Sequence, residues 1–196
     1  MKQSLLRITG VLILLITLYA VLLGYNPRAG GISNLFEVAN RQGFFGVITL
    51  GVGVLIVAGG IDLSIGSVIG LGAVGFGLMM YNGVHPIIAL LLTVAGGSLI
   101  GLCYGMIVTR LRVQAFLVTL CGLFIFRGLA RYLTSSPVGL GRIKNEQPEF
   151  ATTIDTMRFW LVGEDPERGL VFPGEFLVML ILAAVIGLFL HFTVFG

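Results

Sequence analysis

Charge is scarce in this sequence: Asp, Glu, Lys and Arg make up 11% of its 196 residues, against about 25% in ordinary soluble domains. So little charge cannot clothe a solvated globular surface. Histidine and cysteine are scarce too, with two of each. His85 and His191 stand far apart and no His-Glu-x-x-His motif occurs, which excludes that class of zinc protease. Cys103 and Cys121 both fall inside apolar runs and read as small buried packing residues, not as metal ligands or a disulfide. An intramembrane aspartyl protease needs two carboxylates sharing a site, and the apolar runs offer Asp62 alone, with Glu175 at an edge. No catalytic residue, metal site or cofactor is expected.

What the chain does have is apolar length. Apolar residues make up 57% of it, and the mean hydropathy is +1.04. About 20 apolar residues cross a bilayer as a helix, so the expected fold is all-α, a polytopic membrane bundle in a single domain. A β-barrel does not fit, because its strands alternate apolar and polar residues while these runs are continuous. Six spans are expected, at about 8–24, 43–58, 64–81, 86–109, 113–133 and 175–192. The turn chemistry of "YNPRAGG" and "NGVHP", with Pro27 and Pro86, separates the early ones. The first span lacks a clear small-x-small cleavage site and reads as an uncleaved anchor, not a signal peptide.

The formal charge of +3 points to no nucleic acid, because the basic residues sit beside apolar segments as orientation signals. Lys2, Arg7, Arg110 and Arg112 fall on one side, and only Arg28 and Arg41 on the other. The amino terminus is therefore expected in the cytoplasm. Residues 134–174 then form an external segment, in which Pro148 is expected to open a helix with Phe150, Ile154, Met157 and Leu161 on one face. That helix either packs back on its own bundle, lies on the membrane surface, or meets a partner.

Glycine is abundant, at 29 residues. Gly97, Gly101 and Gly105 recur every four residues, as do Gly66 and Gly70, a spacing that lets neighbouring helices approach closely. In "VAGGIDLSIGS" a carboxylate, Asp62, lies between two apolar runs, with Gly59 and Gly60 before it and Ser64 and Ser67 after it. An ionisable group at membrane depth needs a cavity, a partner or backbone donors. Asp62 is expected to cap the third span, to line a polar path through a broken helix, or both. Arg127 is the second costly residue; with Arg131 it can snorkel to an interface, or it needs a carbonyl or carboxylate partner. Gln114, Thr119 and Thr93 read as helix-packing polar groups.

At these residues the chain resembles a family. "GGIDLSIGSVIGL", from Gly59 to Leu71, and "LRVQAFLVTLCGLFIFRGLARYLT", from Leu111 to Thr134, look like two blocks of the permeases of bacterial ABC importers for ribose, galactofuranose and autoinducer-type sugars. The resemblance implies a type II ABC importer-like permease in the bacterial inner membrane. It also implies partners: a second permease chain, identical or not, a cytoplasmic ABC ATPase, and a periplasmic or extracellular sugar-binding protein. The sequence holds no Gly-x-x-x-x-Gly-Lys-Ser/Thr loop, so ATP hydrolysis is expected on another polypeptide. Such permeases run to about ten helices, and "LHFTVFG" resembles the stretch after their sixth, so the chain is expected to be a truncated or split first half. The alternative is a secondary carrier or channel with a helix broken at Gly59–Asp62.

Overall fold

The computed structural model describes residues 2–134, 138–165 and 170–192. The order of elements is α1 (Lys2–Tyr25), a 3-10 turn (Pro27–Gly30), α2 (Ile32–Val57), α3 (Ile65–Tyr81), α4 (Pro86–Arg110), α5 (Ala115–Leu133), α6 (Leu140–Glu146), a second 3-10 turn (Pro148–Phe150), α7 (Ala151–Val162), strands β1 (Glu164–Asp165) and β2 (Leu170–Val171), and α8 (Gly174–Phe192). The fold is all-α apart from that antiparallel pair, in which Glu164 faces Val171 and Asp165 faces Leu170. A helix occupies each of the six expected spans. By length and composition α2, α4, α5 and α8 can cross a membrane; α3 and the stretch Thr9–Tyr25 are apolar but shorter.

Two differences from the sequence reading concern polar segments. Glu37 and Arg41, expected in a loop, lie in the first turns of α2, which starts at Ile32 rather than near 43. Polarity marks where a membrane ends, but a helix satisfies its own backbone and has no reason to stop there. Between 138 and 162 the expected external segment is likewise mostly helical; residues 193–196 of "LHFTVFG" lie outside the described residues.

Contacts divide the chain into two compact units, one made of 48–158 and the other of 1–47 with 159–196. In the first unit, α3 packs against α5 and α4. Its core is Met80, Ala89, Ile143, Phe150 and Ile154, flanked by Phe76 and Tyr81. Pro148 does open the turn before α7, and Phe150 and Ile154 are buried on the face expected of them; Met157 is half-buried and Leu161 exposed. This helix packs back on its own bundle. Further ties hold the segment there: Arg142 lies over the Tyr81 ring at 5.0 Å, the Gln147 side chain donates to the Tyr81 carbonyl at 3.3 Å, and the rings of His85 and Phe150 meet edge to face at 5.8 Å. Lys144 pairs with Asp155, a half-exposed ion pair of small energetic weight.

In the second unit, Asn40 of α2 organises the chain around it. Its Nδ2 donates to the carbonyls of Val162, at 2.8 Å, and Phe172, at 3.0 Å, while its Oδ1 accepts from the Glu175 N–H at 3.1 Å. One buried amide thus serves the last carbonyl of α7, the Phe172 carbonyl that leads into α8, and one N–H in the first turn of α8, helix-end groups that a helix cannot satisfy internally. Gly163 makes the turn between them feasible. At φ 82° it takes the left-handed conformation that ends α7, and its N–H bonds the Phe159 carbonyl at 3.0 Å. Directly below the clamp Gly43 lies against the backbone of Glu175 and Phe176, and Gly46 against Met179.

Candidate functional site: the helix break at Gly59–Ser67

Glycine-59 ends α2 rather than loosening it. It sits at φ 79°; its N–H bonds Ile56 O and the next N–H, that of Gly60, bonds Leu55 O, both at 2.9 Å. That pair of bonds is the Schellman motif, which closes the last carbonyls of a helix. The Leu55 side chain covers Gly60, where a Cβ would meet it. The chain then runs without regular structure until α3 begins at Ile65.

Asp62 folds over the start of α3. Its Oδ1 accepts from the Ser64 N–H at 2.6 Å and from the Ser64 hydroxyl at 2.7 Å. The position at the head of the helix belongs to Ser64, not to Asp62 as expected: Ser64 O accepts from the N–H groups of Ser67 and Val68, at 2.9 Å each, and from the Ser67 hydroxyl at 2.7 Å. Asp62 is two residues too early to reach the helix's own amides and instead orients the residue that starts the helix. Ser64 is fully buried and Ser67 nearly so. Among the described residues, the second carboxylate oxygen of Asp62 accepts no bond.

Thr119 of α5 completes the site. It is 4% exposed; its Oγ1 accepts from the Leu63 N–H at 3.2 Å and donates to Ala115 O, one turn back, at 2.9 Å. A threonine in an apolar run signals only a packing hydrogen bond; which backbone it serves depends on the fold. Arg127, two turns beyond Thr119 on α5, is exposed beside Arg131 and makes no ion pair with Asp62 among the described residues. The site residues Gly59, Gly60, Asp62, Ser64 and Ser67 therefore come together, while Arg127 stands apart.

The glycine spacing on α4 has a different outcome from the one expected. Gly97, Gly101 and Gly105 are exposed, with nothing within 4 Å of where a Cβ would stand, and the same holds for Gly66 and Gly70. Cys103 and Cys121 are also exposed rather than buried. Apolarity in a membrane chain is compatible with a lipid-facing surface as well as with a core, so it does not report burial. The close approach between α4 and α5 occurs instead at Gly122, against which the end of the Tyr104 ring rests. The Tyr104 hydroxyl is buried there and has no hydrogen-bond partner among the described residues. A groove of about 540 Å³ between α3 and α4 has Thr93 as its one polar side chain, and that hydroxyl is committed to Ala89 O at 2.8 Å. Such a lining offers a sugar nothing to bond.

A protein family described as "Branched-chain amino acid transport system / permease component" matches residues 34–196, from the first turn of α2 to the end of the chain. The chain belongs to this family. It is similar to the ribose import permease protein RbsC of Escherichia coli K12, with 35% identity over 136 residues that cover 68% of this chain and 42% of that protein. It is also similar to the inner membrane ABC transporter permease protein YjfF of the same strain, 33% identical over 62% of this chain and 39% of that one. The autoinducer 2 import system permease protein LsrD of E. coli O9:H4 is 35% identical over 56% of this chain and 33% of its own length. The chain thus spans less than half the length of the curated relatives it matches. No solved structure matches. Family membership and the apolar helices make it a multi-pass membrane protein of a transport permease family.

Proposed function

We propose that this chain forms part of the translocation pathway of a bacterial ABC importer for a monosaccharide, ribose or a related sugar, in the inner membrane. The similarity to the ribose and autoinducer 2 import permeases carries this reading. Its partners on this view are a second permease chain, a cytoplasmic ATPase and an external sugar-binding protein. The break between α2 and α3 supports the reading with a closed-off helix end at Gly59 and a polar turn at Asp62 whose second oxygen accepts no bond among the described residues. Arg127 is assigned to the same pathway by sequence alone.

On this reading the chain also has a definite orientation. The contacts of α2 with α8 advance in the same chain direction, Asn40 to Glu175, Gly43 to Phe176, Gly46 to Met179. Two helices that leave one level in the same sense need an odd number of crossings between them; on this reading α3, apolar but shorter than the others, crosses along with α4 and α5. An external 134–174 segment and a cytoplasmic amino terminus fit that count, and the basic residues at Arg110 and Arg112 support the choice of side.

Deleting the coding region in its native host and measuring uptake of labelled ribose and related sugars tests the proposal. Loss of one sugar's uptake, restored by a plasmid copy and abolished by ATP depletion, is the expected result. Uptake that survives ATP depletion but collapses with an uncoupler would identify a secondary carrier instead.

A further inference from the structure

We propose that the C-terminal turn of α7 is seated in the lipid headgroup layer, with Trp160 as its anchor. The inference rests on α2 and α8 crossing a membrane and not on what is transported. Asn40 fixes the depth. It binds the end of α7 through Val162 O and the start of α8 through Glu175 N, so these two points share one level. The same level is where the charged residues of both membrane helices end. Arg41 is the last charge of α2 before the apolar run to Val57, and Glu175 is the last acidic or basic residue of α8 before His191. The edge of the hydrocarbon therefore lies just past the clamp.

Trp160 precedes Val162 by two residues, about 3 Å along a helix axis. The headgroup region is about 5–7 Å deep on each side, so Trp160 falls within it. Its side chain is 67% exposed and Leu161 beside it is 44% exposed, large apolar groups that a water-facing helix end has no use for. Phe159 holds the tryptophan in place, with ring centroids 5.5 Å from Trp160 and 5.3 Å from Phe172. The exposed stripe of α7 also changes character along its length, from Thr152 and Thr156 to Trp160. An indole with an apolar body and one N–H donor suits the boundary between acyl chain and water.

Trp160 is the single tryptophan of the chain, so its fluorescence reads this contact in the unmodified protein. The full chain is reconstituted into phosphatidylcholine vesicles containing lipids brominated either near the headgroup or near the chain end. The expected result is a clear loss of emission with shallow bromine, a smaller loss with deep bromine, and only partial quenching by aqueous iodide. Full iodide quenching without any bromine effect would place Trp160 in water. Quenching by neither would place it in a protein contact, and stronger deep quenching would place it in the hydrocarbon core; each overturns the proposal. In a Trp160→Phe, Thr152→Trp chain the shallow-bromine effect should vanish. If it persists undiminished, α7 lies flat on the membrane and is not anchored by its end.

Discussion

The N–H of Leu63, in the break between α2 and α3, donates to the hydroxyl of Thr119 on α5 at 3.2 Å. This bond ties an irregular segment to a helix more than 50 residues later in the chain. Thr119→Val keeps the shape and removes the acceptor. The variant should lose about 0.5–1.5 kcal/mol, read as a lower melting temperature in detergent, while Thr119→Ser stays close to the parent. Equal stability of the Val and Ser variants would show that the bond does not hold the break.

At Asp62, the two acceptor bonds to Ser64 predict a graded series. Asp62→Asn keeps an oxygen for the Ser64 N–H and should be mild. Asp62→Leu removes both bonds and should cost about 0.5–2 kcal/mol, the range of a lost helix-start acceptor. Denaturant or thermal unfolding of both variants checks the order. If uptake by the proposed importer falls with Asn as well, while stability does not, the second carboxylate oxygen acts in the pathway.

Tyr104 and Gly122 make a second coupled pair. Tyr104→Phe removes a buried hydroxyl that has no partner among the described residues and should raise stability by about 1 kcal/mol. Gly122→Ala drives a methyl group into the tyrosine ring and should destabilise the chain. Combining Gly122→Ala with Tyr104→Leu should recover part of that loss, because contacting residues are not additive. Strict additivity in a thermal-stability cycle would argue against the contact.

Asn40→Leu strips three hydrogen bonds from the clamp at once. It should destabilise the chain by more than either Thr119→Val or Asp62→Leu, since each of three groups loses its partner. A melting temperature within error of the parent would show that water takes over all three bonds.

The side assigned to α7 is open to a direct check. Thr152 is exposed, and Cys103 and Cys121 are replaced by Ala to leave one thiol in a Thr152→Cys chain. An impermeant maleimide should label it in intact cells. Labelling only after permeabilisation would reverse the orientation.

The sequence by itself determined the class of fold and most helix positions, because each membrane helix must satisfy its own backbone and be apolar along its own length. Runs such as Pro86–Arg110 and Gly174–Phe192 carry that information locally. It also marked Gly59 and Asp62 as unusual, since a glycine pair and a carboxylate between apolar runs have few local explanations. Tertiary structure alone decided which neighbours these residues serve. That Thr119 receives the Leu63 amide and that Asn40 joins α7 to α8 are matters of partners far apart in the chain. The glycines show the limit most clearly. Every-fourth spacing on α4 produced an open face, while Gly43 and Gly122, with no such spacing, carry the close approaches. Periodicity tells which residues share a helix face; only the fold tells what lies against it.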